Sequence, residues 1–178
     1  NLGPQGIREL IRNVNKYFLA DFKLGDVSHI NEYVIKKAHE LGINGVIMHA
    51  VTGRENLVTP VNIARELGVD VYLLISMSSG GELYDKSLDY NVSLGMSLGV
   101  SGFVVPATKP GIIRWVKSVV GARYQLLSPG VGVQGGKPGC AVANGADFEI
   151  VGRSIINSES PREAAINIVN AIRNPSDC

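Results

Sequence analysis

The sequence has few of the residues that build disulfide-rich scaffolds or metal centres. Among its 178 residues are two cysteines, Cys140 and Cys178, and three histidines. Two cysteines form neither a disulfide framework nor a zinc site with the usual ligand spacing. We therefore predict no metal site and expect the protein to be cytoplasmic.

The chain has neither a large net charge nor a long apolar run. Seventeen Lys and Arg residues against sixteen Asp and Glu residues give a net charge of +1. Proteins that bind nucleic acid usually carry a basic excess or a basic stripe. The longest apolar run, 69–75, is interrupted by Asp70 and is far too short to cross a bilayer. Neither nucleic acid nor a membrane is an expected partner.

What the sequence does contain is a repeated succession of a helix-like segment, a glycine and a short apolar run. Its 45% hydrophobic and 19% charged residues are typical of a globular domain. Short, nearly continuous runs of Val, Ile, Leu and Phe are typical of parallel strands that are covered on both faces. Six such strands are predicted, at 18–20, 45–48, 71–75, 103–105, 124–127 and 148–151.

Several helices carry start and stop signals. Ser160, Pro161 and Glu163 predict a capping box, Thr59 and Pro60 predict the start of another helix, and Gly42 predicts a helix end. The helix that ends at Gly42 is expected to begin at Ser28 or Asn31. The predicted buried positions are Ile30, Val34, Ala38 and Leu41 in that helix and Ala165, Ile168, Val169 and Ile172 in the last one.

Strands that alternate with helices predict an α/β fold with a parallel sheet. Six strand–helix units, preceded by an unpartnered helix at 4–15, make up a single domain over 1–178. A (β/α)8 TIM barrel needs about 200–250 residues. We therefore expect such a barrel whose first two units, roughly 40–55 residues, precede Asn1. An open doubly wound sheet of six strands is the alternative.

Polar residues cluster after the predicted strands, where α/β proteins carry their chemistry. Asp21 and Lys23 lie two positions apart, so strand alternation predicts that both side chains point inward and form a partly dry ion pair. Asp26 follows in the loop. A structural salt bridge would explain Asp21 and Lys23 alone, but polar residues at five further strand ends favour a functional site. His49, at one of those ends, is expected to be a packing residue.

Gly130, Gly132 and Gly135 match the G-x-G-x-x-G pattern of dinucleotide-binding loops. Only one predicted strand follows them, whereas a dinucleotide-binding fold requires several. A phosphate cradle is the better interpretation, because glycines let backbone N–H groups approach an anion closely. Gly152 and Arg153, at the predicted start of a helix after the last strand, are expected to assist.

Three motifs resemble those of the orotidine 5′-phosphate decarboxylase family. They are the D-x-K-x-x-D segment 21–26, the loop 128–136 (SPGVGVQGG) and the segment 151–155 (VGRSI). Their order and spacing extend the resemblance over essentially the whole chain. It implies a homodimeric TIM barrel that converts orotidine 5′-monophosphate (OMP) to UMP and CO₂ without metal or cofactor.

The resemblance also implies roles for the three charged residues. Lys23 resembles the general acid that protonates C6 of the substrate. Asp21 resembles the carboxylate that faces the carboxylate of the substrate. Asp26 resembles the residue that reaches into the active site of the partner subunit.

Four further residues resemble the family's substrate contacts. Ser78 and Gln134 correspond to the pyrimidine contacts, and Gln134 also to a phosphate contact. Arg153, with the backbone of Gly152, corresponds to the phosphate anchor.

The sequence departs from the family pattern in two ways. The family's first-strand aspartate and second-strand lysine have no counterpart in it, so this chain by itself is expected to be an incomplete enzyme. Ile30 stands where the family usually has a threonine, which removes one contact across the dimer. Two alternatives remain: a Mg²⁺-dependent sugar-phosphate decarboxylase or synthase of the same superfamily, and a nucleotide-binding module without catalytic activity.

Overall fold

The computed structural model describes residues 3–175 and 178, and within them six strands alternate with helices. None of the helices in those ranges has the length and apolar character that a membrane span requires. The strands are β1 (Leu19–Leu24), β2 (Gly45–His49), β3 (Asp70–Leu74), β4 (Gly102–Val104), β5 (Gln125–Pro129) and β6 (Phe148–Ile150). The helices are α1 (Pro4–Arg12), α2 (Ser28–Leu41), α3 (Arg54–Glu66), α4 (Glu82–Lys86), α5 (Leu88–Leu98), α6 (Pro110–Val120), α7 (Cys140–Ala143), α8 (Arg153–Ile156) and α9 (Pro161–Arg173), with a 3₁₀ turn at Ala50–Thr52.

The chain divides into two compact units. The first comprises the residues up to Leu74 together with Ser93–Ser101, and the second comprises Ile75–Val92 together with the residues from Gly102 onward. In the first unit β1, β2 and β3 are neighbours in chain order and run parallel. In the second unit β4, β5 and β6 do the same. The prediction of parallel strands joined by helices is confirmed in both units.

The predicted strands coincide with the observed ones to within a residue or two, except at the end of β1. Residues 45–48 of β2, 71–74 of β3, all of β4 and 126–128 of β5 are buried, as expected of strands covered on both faces. β1 and β6 each pair with one neighbour within their unit and are more exposed. The apolar runs therefore identify the central strands best.

The buried face of α2 differs from the predicted one. The helix begins at Ser28, one of the two predicted starts, and ends at Gly42, whose φ of +88° suits glycine. Its buried residues are Asn31, Ile35 and Ala38, so the inward face is turned by one position from the predicted one. Ile30 is exposed. Of the four predicted positions, Ala38 is confirmed as buried. The others failed because the prediction chose Ile30 and Val34 over Ile35 and excluded the polar Asn31.

The start predicted for α3 is wrong. The helix begins at Arg54, and Pro60 lies inside it rather than at its first turn. Leu57, Pro60, Val61 and Ala64 form one buried stripe at helical spacing. Burial of this stripe stabilises the helix across the proline, which by propensity alone favours a helix start.

The last helix, α9, starts where predicted but is neither capped nor buried as predicted. Pro161 is its first residue after Ser160, yet the Ser160 side chain makes no capping hydrogen bond. No residue of α9 is fully buried, and Val169 is exposed. The sequence signals thus locate the start of this helix but not its environment.

The two cysteines form a disulfide with each other, a pairing that the sequence analysis did not predict. Cys140 lies at the start of α7, and its Cα is 5.1 Å from that of Cys178. The bond closes a ring that contains β6, α8 and α9. The count of two cysteines gave no signal of pairing, because the pairing depends on the path of the chain over a sequence separation of 38.

Reduction of this disulfide should destabilise the second unit. In the chain-entropy model, opening a ring of this length costs about 4 kcal/mol of unfolding free energy. We expect urea unfolding of the protein to shift to lower concentration on addition of dithiothreitol. Cys140→Ser should reproduce that shift and abolish the response to the reductant. An unchanged unfolding midpoint in dithiothreitol would contradict the bond.

Candidate active site

Lys23 and Asp21 form an ion pair at the end of β1, with Lys23 Nζ 2.6 Å from Asp21 Oδ2. Strand alternation is not what brings them together. Between Ala20 and Leu24 the register with β2 shifts, so that four steps along β1 match two along β2. Lys23 lies in this irregular stretch and has a φ of +47°. Among the described residues, it is the only non-glycine residue with a positive φ. A left-handed lysine costs backbone energy, and such residues concentrate at functional sites.

The Asp21–Lys23 pair is more exposed to solvent than predicted. The two side chains retain 49% and 45% of their exposure, so the expectation of a partly dry, inward-facing pair is wrong. Within its unit β1 pairs with β2 on one side, and residues 21–23 of the strand are exposed. Water screening makes such a pair a weak contributor to stability, which leaves its charges available to a ligand.

His49 lies beside this pair, at the end of the neighbouring strand. Its ring also borders Gly25, because a Cβ on Gly25 would lie 3.1 Å from His49 Cδ2. Burial of the ring, and secondarily the positive charge of Lys23, lower the pKa of His49 below its usual 6.5, with Asp21 acting in the opposite direction. His49 is thus part of the polar group at this edge, although the sequence indicated only a packing role.

The lowered pKa of His49 predicts a pH dependence of stability. Below about pH 6.5 the unfolded chain binds a proton at this residue that the folded chain does not. The free energy of unfolding should therefore fall as the pH falls from about 6.5 through the native pKa. Urea unfolding measured on both sides of this range should show a smaller loss for His49→Gln than for the wild type. Equal losses would exclude His49 as the cause.

Asp26 lies in the loop after β1 and is held there by the buried Asn31. The Asn31 side chain donates to the Asp26 carbonyl at 2.7 Å and accepts from the Asp26 backbone N–H at 3.3 Å. The Asp26 carboxylate accepts from Val27 N–H at 2.7 Å. In the part of the chain that the structure describes, it makes no ion pair with Lys23. The anchoring role of Asn31 was not predicted. Its signal was a polar residue at core spacing, four positions before Ile35 and seven before Ala38 on the buried face of α2.

In the second unit, the glycine-rich loop after β5 closes on itself. Gly132 N–H donates to Gly136 O at 2.7 Å, and Gly136 N–H donates to Gly130 O at 3.0 Å. Gly130, Gly132 and Gly135 have φ values of +99°, +79° and +101°, which side-chain-bearing residues rarely adopt. The loop leads into the four-residue helix α7 and then into β6. This tight turn fits the predicted phosphate cradle rather than a dinucleotide-binding fold.

A cavity of about 250 Å³ opens beside this loop. Gln134 from the loop and Gly152 and Arg153 from the end of β6 all line it. Among the described residues, no acidic side chain pairs with the Arg153 guanidinium. The residues predicted to bind phosphate thus line one cavity, into which Arg153 brings an unpaired positive charge. The helix that follows, α8, has only four residues, so the side chain of Arg153 is the main source of that charge.

Ser78 lies on the other side of Gly130. A Cβ built on Gly130 would lie 3.4 Å from Ser78 Cβ and 3.2 Å from Gln134 Oε1. The hydroxyl of Thr108 donates to the Ser78 carbonyl at 3.4 Å. The two residues expected to contact a pyrimidine therefore flank one glycine, whose missing side chain lets them come close.

The structure thus assembles the predicted residues into two groups, one in each unit. The first unit brings together Asp21, Lys23 and His49, with Asp26 in the adjoining loop. The second unit brings together Ser78, Gln134, Gly152 and Arg153. Over residues 3–175 and 178, no three His, Cys, Asp or Glu side chains are placed to hold a metal ion.

Charged side chains and a glycine-rich anion loop at the carboxyl ends of parallel strands define a class of α/β-barrel enzymes that act on phosphorylated substrates. The model of one such family, described as orotidine 5′-phosphate decarboxylase / HUMPS, matches residues 1–168. The chain belongs to this family.

Individual relatives agree. The chain is 39% identical over 152 residues to the orotidine 5′-phosphate decarboxylase of Methanococcoides burtonii, an alignment that covers 84% of this chain and 71% of the relative. It superposes on the orotidine 5′-monophosphate decarboxylase of Sulfolobus solfataricus with a TM-score of 0.89 and 30% identity. The enzyme of Methanocaldococcus jannaschii, in complex with the inhibitor BMP, gives a TM-score of 0.88 and 28% identity. Each structural match covers 97% of this chain and 81% of the relative. The fold class is therefore that of these TIM-barrel enzymes.

Proposed function

We propose that the protein decarboxylates OMP to UMP and CO₂. The observation that carries this proposal is the Asp21–Lys23 ion pair, formed within a D-x-K-x-x-D segment in a chain that belongs to this family. Curated relatives that match it include orotidine 5′-phosphate decarboxylases at 32–39% identity. One structural relative was crystallised with the inhibitor BMP, which supports a small-molecule substrate.

The chemistry requires a cation beside the reacting carbon. When the bond from C6 to the carboxyl group breaks, the electron pair stays on C6 and CO₂ leaves, with no π-system to accept the charge. A fixed ammonium group stabilises this carbanion as it forms. The Lys23 ammonium then donates its proton to C6, giving UMP, and the amine recovers a proton from water. Asp21 sets the position of the Lys23 ammonium group through their ion pair. No step uses a metal or cofactor.

The second group of residues anchors the far end of the substrate. Arg153, Gln134 and the backbone of Gly152 hold the phosphate, and Ser78 and Gln134 contact the pyrimidine. The shared cavity and the unpaired guanidinium of Arg153 support the phosphate assignment. Binding energy from a phosphate remote from the reacting bond can be used to orient the substrate and to exclude water.

The active form is proposed to be a homodimer in which Asp26 completes the site of the partner subunit. In support, the Asp26 carboxylate bonds to the backbone of its own loop and, over the described residues, makes no ion pair with its own Lys23. The cytoplasm stays the predicted location.

The second candidate is a sugar-phosphate synthase or decarboxylase, because the family description also covers HUMPS proteins. One assay of the full native polypeptide distinguishes the two activities. With OMP and EDTA we expect UMP to form at the same rate as with Mg²⁺. Turnover of a hexulose or keto-gulonate phosphate that stops in EDTA, with OMP left unchanged, would favour the second candidate.

Replacement of Arg153 by alanine tests the phosphate anchor. Loss of a charge-assisted hydrogen bond should weaken UMP binding on the order of 10- to 100-fold. Arg162→Ala, on the exposed side of α9, is the matched control and should leave the dissociation constant unchanged. Unchanged UMP affinity in Arg153→Ala, measured by calorimetry, would place the phosphate site elsewhere.

A further inference from the structure

A second ion pair in the chain lies close to Ser78. Lys109 Nζ lies 2.5 Å from Asp85 Oδ2, and the two side chains retain only 25% and 34% of their exposure. Lys109 follows β4 and precedes α6, whereas Asp85 lies in α4. The pair therefore joins α4 to the start of α6, and both lie in the second unit.

A buried hydroxyl fixes this pair. Ser76 is fully buried, and its hydroxyl donates to Asp85 Oδ1 at 2.6 Å. Lys109 Nζ also donates to the Ser76 hydroxyl oxygen at 3.4 Å. Burial would raise the pKa of Asp85, but the hydrogen bonds from Lys109 and Ser76 outweigh it, and the pKa lies below its usual range. The carboxylate is thus held ionised by partners with fixed positions.

The segment that these bonds enclose carries Ser78. Ser76 precedes Ser78 by two residues, and Asp85 follows it by seven. The intervening turn is compact, because Gly80 and Gly81 adopt positive φ values and a Cβ on Gly81 would lie 3.0 Å from Met77 Cβ. Both ends of the turn are therefore tied to Lys109.

Lys109 also adjoins the residue that contacts Ser78 directly. Its neighbour Thr108 donates to the Ser78 carbonyl, and the methyl group of Thr108 lies 3.8 Å from the Cβ position of Gly130. A shift of Lys109 would thus move a contact of Ser78 as well as the two ends of its turn.

We propose that Lys109, Asp85 and Ser76 form a positioning cluster that holds Ser78 in place to recognise the pyrimidine ring. This inference rests on the proposed function, through the role assigned to Ser78. None of the three residues needs to touch the substrate. The cluster gives the base-binding side of the site a rigid support that the phosphate-binding side, built on its own closed loop, does not require.

Binding of UMP and of ribose 5-phosphate by the full native polypeptide tests the proposal, since only UMP carries the base. In Lys109→Met and in Asp85→Asn, UMP should bind about tenfold more weakly, the loss expected for a displaced hydrogen bond. Ribose 5-phosphate should bind as in the wild type. Lys109→Arg, which keeps the cation, should restore UMP binding. The nearly isosteric Asp85→Asn keeps the test available if Lys109→Met does not fold.

Lys117→Met is the matched control. Lys117, in α6, pairs with Asp147 at 2.9 Å with similar exposure, but Asp147 directly precedes β6 and so lies at the amino end of that strand. It should change neither affinity. The positioning role is overturned if UMP affinity is unchanged in both cluster variants, if both ligands weaken equally, or if Lys117→Met has the same effect. A wild type that neither binds UMP nor converts OMP would instead overturn the proposed function and the inference with it.

Discussion

Replacement of Lys23 by alanine should lower kcat for OMP decarboxylation by at least about 10⁴-fold. The side chain supplies two separate contributions, the charge that stabilises the carbanion and the proton that C6 receives. Loss of one stabilising group typically costs about 10²–10³-fold, and loss of a general acid typically costs a further 10²–10⁴-fold. Alanine removes both at once.

The effect of Lys23→Ala should be confined to kcat. Because Lys23 acts on the reacting carbon and not on the phosphate, UMP affinity should change far less than turnover. Lys36→Ala, an exposed lysine on α2 of the same unit, is the control and should keep full activity. Turnover in Lys23→Ala within tenfold of the wild type would remove Lys23 from the reaction.

Asp26→Ala should also be nearly inactive as a homodimer, but its activity should return on mixing with Lys23→Ala. If Asp26 serves the partner's site, a mixed dimer has one site with both lesions and one with neither. Random pairing makes half of the dimers mixed, each with one intact site of two. The mixture should therefore regain about a quarter of wild-type activity.

A second mixture is the control for this experiment. Asp21 and Lys23 pair within one subunit, so mixing Asp21→Ala with Lys23→Ala leaves one lesion in every site. No activity should return in that mixture. Failure of the Asp26→Ala mixture to recover, with subunit exchange shown by mass spectrometry, would place Asp26 in its own subunit's site.

The sequence predicted the strands well because central parallel strands are buried on both faces and leave continuous apolar runs. It failed where a local signal competed with packing. Pro60 favours a helix start by propensity, but the buried stripe of α3 continues through it. The disulfide between Cys140 and Cys178 depends on long-range chain path, which composition does not carry.

The candidate site could be predicted in its residues but less well in its geometry. The motifs named the members of both groups, because rare residue types recur at strand ends. The bulge that gives Lys23 a positive φ has no marker such as glycine in the sequence. The role of Asp85 could not be predicted either. An acidic residue in a short helix is common, and only its contact with buried Ser76 distinguishes it.

The most direct measurement is the conversion of OMP by the full native polypeptide in D₂O containing EDTA, followed by NMR of the product. The account predicts UMP with deuterium at C6, one CO₂ for each UMP, and neither product from Lys23→Ala. OMP that stays unchanged under these conditions, or UMP that forms at the wild-type rate with Lys23→Ala, would contradict it.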